Sequence, residues 1–155
     1  MGSSSTPEEF SDTDALQEAL RAEHAAVYGY GYIGAHSTGA GRERSYTSLD
    51  AHRAQRDTLR DELVERNATP VAGASAYELP DRDDAELTAF AAQLEEQAEQ
   101  TYLQLAASAD PWLRDLAARS LQEAVVRRLT WGGSVTAFPG FPDGEGPQAG
   151  KSETD

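Results

Sequence analysis

Glu23 lies inside an apolar helical stripe made by Leu16, Leu20, Val27 and Tyr30. A carboxylate in that position has to find a partner, because burying it against hydrocarbon alone is costly. The same intrusion recurs once in each of three further stretches with helical periodicity, at His52, Glu95 and Glu123. Four amphipathic segments that each turn an ionisable group toward the apolar side need one interior in which those groups meet. The pattern predicts an all-α chain, a four-helix bundle with a polar layer across its core.

The helix signals are local. The first helix is expected from about Asp14 to Ala35, capped by Thr13 or Ser11, and a glycine-bearing break, HSTGAGRERS, follows it. The second is expected from about Tyr46, capped by Ser45, to Asn67, with Leu49, Leu59 and Leu63 on one face and Pro70 beyond its end. The third runs from about Asp84 to Ser108 on a face that includes Leu87, Phe90, Leu94 and Leu105. Asp110 caps the fourth, Pro111 suits its first turn, and Trp112, Leu116, Val126 and Thr130 mark its face up to Gly132-Gly133. Residues 1–12 read as a disordered leader, 13–141 as the bundle and 142–155 as a disordered tail, with Phe138 and Phe141 folding back onto the helices.

Link lengths select the topology. The stretch from Ala68 to Asp83 reaches ~50 Å if extended, whereas a helix of about 22 residues is only ~33 Å long. The middle link is therefore expected to travel the length of the bundle and leave helices two and three parallel.

Composition removes several function classes. With 13 Lys and Arg against 27 Asp and Glu, the net charge of -14 repels phosphate backbones and anionic lipid surfaces, so neither nucleic acid nor membrane is an expected partner. The absence of cysteine removes thiolate ligands and thiol nucleophiles. With no secretory signal read in the leader, the compartment is taken as cytoplasmic. Gly29-x-Gly31-x-x-Gly34 spells a dinucleotide fingerprint, but it sits late in a helix with no strand before it, where close helix packing is the reading it supports.

On helical spacing, Glu23, His52 and Glu123 face inward, Glu123 beside Trp112, while Glu95 falls at the edge of its stripe. His24 projects toward a flank, and Tyr30 and Tyr102 are placed to donate hydrogen bonds to the glutamates. Arg56 lies one turn beyond His52 and Arg127 one turn beyond Glu123, so two guanidiniums are expected to quench the acidic layer. A second stripe on helix one, Ala19, Ala26 and Ile33, is the expected contact of a homodimer or protein partner.

The segments AEHAAVYGYGYIGA, AHRAQRD, LEEQAEQTYLQL and TAFPG resemble a bacterial ferritin-like family of unknown function, over roughly Ala15 to Gly140. The resemblance implies a ferritin-like bundle with one long crossover. Dimetal members of that superfamily supply single glutamates from two helices, matched here by Glu23 and Glu95, and a Glu-x-x-His pair from each of the others. Here those pairs read Leu49-x-x-His52 and Glu123-x-x-Val126, so each has lost a member. The expectation is a degenerate metal site replaced by a Glu/Arg/His network, with no cofactor, no catalytic residue and a non-catalytic role in self-association or partner binding. Its alternative is one divalent Fe, Mn or Zn ion held by Glu23, His52, Glu95 and Glu123 in a metal-binding protein or oxidoreductase.

Overall fold

The computed structural model describes residues 9–132. They form four α-helices: α1 (Asp12–Ala35), α2 (Gly39–Glu65), α3 (Asp84–Leu105) and α4 (Pro111–Thr130). Side chains start three of them. Ser11 accepts from the Asp14 amide, Asp83 from those of Ala85 and Glu86, and Asp110 from that of Trp112, with Pro111 in the first turn where its missing N–H costs nothing. The expected leader and tail, with Phe138 and Phe141, lie outside the described residues apart from the short approach to α1.

α2 begins earlier than its glycines suggest. Gly39 to Ser45 is helical, and Ser45, expected as a cap, instead sits inside the helix with its hydroxyl donating to the Gly41 carbonyl at 2.7 Å. The other end is closed by Asn67 in the left-handed region, φ 58°, with the Ala68 amide reaching back to Leu63 O and the Asn67 amide to Val64 O.

Residues 66–83 then run the length of α1. The Gln17 carboxamide donates to Thr69 O and accepts from the Val71 amide, both at 2.8 Å, and His24 Nε2 donates to Val71 O at 2.9 Å. Further along, the Tyr28 and Tyr77 rings meet at 5.1 Å, and the Tyr32 hydroxyl donates to Pro80 O at 2.8 Å. The link thus starts beside the first turns of α1 and delivers the chain to its far end, so α2 and α3 run parallel. α1 packs against α2 and α3, and α4 against α3.

The core has two apolar halves. Leu16, Leu20, Leu63, Leu105, Leu113 and Ala117 fill one, and Ala26, Ile33, Leu49, Leu87, Leu94 and Trp131 the other. Ala19, Ala26 and Ile33, expected as an outer dimer stripe, are fully buried in these clusters, because α1 is covered on one flank by the crossover and on others by α2 and α3. Two glycines of the apparent nucleotide motif serve packing: a Cβ on Gly29 would come within 2.5 Å of Leu94 and one on Gly34 within 3.0 Å of Tyr46, while Gly31 faces open space.

Candidate functional site

Between the apolar halves lies a layer of ionised side chains. Glu23 from α1, His52 from α2 and Glu95 from α3 are all 0% exposed. His52 stands between the carboxylates, its Nδ1 2.6 Å from Glu23 Oε2 and its Nε2 2.8 Å from Glu95 Oε1. Carboxylates only accept, so both ring nitrogens donate and the ring is an imidazolium. Burial alone would lower the pKa of His52, yet the charges and hydrogen bonds of Glu23 and Glu95 raise it to about 9. Glu95 is held below the ordinary carboxylate value. Burial opposes its ionisation, but His52, Arg127 and Tyr30 together outweigh that.

Two tyrosines extend the chain of bonds. Tyr30 on α1 donates to Glu95 Oε1 at 2.7 Å, and Tyr102 on α3 donates to Glu23 Oε1 at 2.5 Å. Both phenols are pushed well above their usual pKa, first by burial and then by the carboxylate each one faces. The Tyr30 ring also stacks on His52 at 5.4 Å. Arg127 Nε donates to Glu95 Oε1 at 3.0 Å. Glu23 and Glu95 are thereby balanced by one imidazolium and one guanidinium, and the layer sums to neutrality.

The expected residues are not all here. Arg56 turns to the surface, where Nε meets Asp57 Oδ1 at 3.1 Å, and His52 takes the charge-balancing part expected of it. Glu123 is exposed, and Gln55 Nε2 donates to it at 3.4 Å. The cause is the phase of α4. Trp112 and Val126, expected to face inward, are 53% and 59% exposed, and the inward face is Leu113, Ala117, Ser120, Ala124 and Arg128. His24 is spent on the crossover carbonyl.

A second buried pair was missed. Arg128 grips Glu99 through Nε to Oε2 at 2.8 Å and Nη2 to Oε1 at 3.1 Å. Burial pushes the Glu99 carboxyl up, against the pull of Arg128. An internal correspondence in the sequence could have found the right phase. One constant offset relates Glu23 to Glu95, Tyr30 to Tyr102, Ser48 to Ser120, Leu49 to Leu121 and Arg56 to Arg128, and the starts of α1 and α2 to those of α3 and α4. That register pairs His52 with Ala124 and puts Glu123 opposite Ala51, off the inner face. Each tyrosine crosses to the glutamate of the other hairpin, and only one hairpin brings a histidine.

These residues do not fit the two ions that such a fold can hold. The inner face of α4 offers no carboxylate or imidazole, both nitrogens of His52 are donating, and three of the four carboxylate oxygens have partners. Among the described residues, no three His, Cys, Asp or Glu side chains are arranged to share an ion. Glu95 Oε2 is buried without a hydrogen-bond partner among the described residues.

Four helices, a single long crossover and a Glu/His layer at mid-height define a ferritin-like bundle, and solved structures agree. A conserved hypothetical protein of Mycobacterium tuberculosis, rv2844, is 28% identical, covering 81% of this chain and 98% of its own, with a TM-score of 0.75. The dodecameric thioferritin of Bacteroides fragilis, a bacterioferritin-related protein, is 20% identical over 78% of this chain and 82% of its own, TM-score 0.69. Ferritin-like, diiron-carboxylate proteins of Bacillus anthracis str. Ames give 16%, 78% and 92%, TM-score 0.66. Residues 15–143 match DUF4439, a domain of unknown function, and the chain belongs to that family. No curated protein matches it. Among the described residues, no helix is long and apolar enough to cross a membrane.

Proposed function

We propose that this chain is a non-catalytic ferritin-like protein that works through association, with itself or a protein partner, around a core in which ion pairs have replaced a metal centre. The observation that carries this reading is His52, held through both nitrogens by Glu23 and Glu95 and supported by Arg127. An imidazolium occupies the place between carboxylates where a cation would be coordinated, and a divalent ion would have to displace that proton and break short buried bonds. Association is supported by the uncovered Trp112, Val126 and Leu129 of α4.

The single-ion alternative rests on one atom, the unpartnered Glu95 Oε2. Titration of tag-free protein with Fe(II), Mn(II) and Zn(II), read by calorimetry and elemental analysis, decides between them. The proposal expects no stoichiometric uptake and a thermal midpoint unmoved by metal. Near-stoichiometric tight binding that Glu95→Gln abolishes would establish the alternative.

A further inference from the structure

Away from the buried layer, α1, the crossover and α3 enclose a groove of about 600 Å³, within the size range of small-molecule sites. Its walls carry three aromatic rings, Tyr28 from α1, Tyr77 from the crossover and Phe90 from α3, and two carboxylates, Glu78 and Glu86. None of its lining residues is Lys, Arg or His. Tyr28 is 48% exposed although its ring lies against Tyr77. Among the described residues neither Glu78 nor Glu86 forms an ion pair, and both are exposed where they line the groove.

Aromatic faces attract cations through their quadrupole, and carboxylates at the rim of such a cluster add a Coulombic term of the same sign. Anions are repelled here, both by the two glutamates and by a molecule of net charge -14. A strongly hydrated metal ion gains little from rings, whereas an ammonium with apolar substituents gains from rings and carboxylates together. We infer that the groove between α1, the crossover and α3 is a binding site for a small organic cation, a quaternary or substituted ammonium.

The full chain, isotopically labelled, is titrated with benzyltrimethylammonium and followed by amide chemical shifts. Choline and its uncharged isostere 3,3-dimethylbutan-1-ol serve as the charge control. The expected result is saturable shifts confined to residues 25–29, 76–80 and 86–97, with choline preferred over the alcohol by about threefold or more. Tyr77→Ala should weaken binding about fivefold or more, and Glu78→Gln with Glu86→Gln by a similar factor. The two Gln substitutions are at exposed positions, so the fold is retained whether or not Tyr77→Ala loosens the crossover. Shifts that spread over the acidic surface without saturating, equal binding of the alcohol, or affinity unchanged in the Glu78/Glu86 double variant would each overturn the assignment.

Discussion

Two arginines separate what burial demands from what sequence spacing suggests. Arg127 neutralises Glu95, which has no access to water, whereas Arg56 meets a neighbour that water already solvates. Arg127→Ala is expected to destabilise the fold by ~3 kcal/mol, because it strands a buried charge, and Arg56→Ala by less than ~0.5 kcal/mol. Urea denaturation of the two variants measures the difference, and equal losses would refute the partition. Glu23 is tied to His52 and Tyr102 rather than to either guanidinium. Its replacement acts through the imidazolium.

At the level of elements, the helices were legible where caps and proline mark them, as at Ser11, Asp110 and Pro111. The start of α2 was not, because glycines are poor helix formers and the close approach of Tyr46 to Gly34 joins two helices that spacing along one cannot relate. α4 misled for a different reason. Its inward face is made of small residues, Ala117, Ser120 and Ala124, and large exposed ones such as Trp112 and Val126 gave a false stripe, which took Glu123 with it. Glu95, at the edge of its stripe, is buried among partners on other helices, whereas Glu23 and His52 were legible because an ionisable group in an apolar stripe stands out. The part His52 plays in balancing charge was not, since spacing along one helix says nothing of what stands across from it. The crossover was expected from its length alone, and Gln17 is the side chain that fixes its start. Gln17→Ala removes two hydrogen bonds and is expected to cost ~1–2 kcal/mol and to speed amide exchange at Val71, a measurement in which an unchanged rate would contradict the docking.

For the molecule as a whole, the buried layer writes itself into stability against pH. His52 has a folded pKa of about 9 against an ordinary 6.5. A raised pKa means that the folded state binds the proton more tightly, so its contribution is fully present below pH 6.5 and is lost as pH rises through about 9. The loss amounts to about 3 kcal/mol. Glu95 works in the opposite sense: its lowered pKa stabilises above the ordinary 4.5 and that part is lost as pH falls through the folded value. Urea midpoints should therefore fall on the alkaline side between pH 6.5 and 9, and His52→Gln should flatten that limb while lowering the plateau. A His52→Gln curve with the same alkaline slope would remove the histidine from the account.

The strap laid along α1 also makes the molecule one-sided. It seals one flank of the first helix, whereas between α2 and α4 a cleft of about 320 Å³ reaches Tyr102 and Ser120. Tyr102 is bonded to Glu23, so water arriving in that cleft stands one phenol away from the innermost carboxylate. On that face Tyr102, itself buried, is the side chain that stands between the cleft and Glu23.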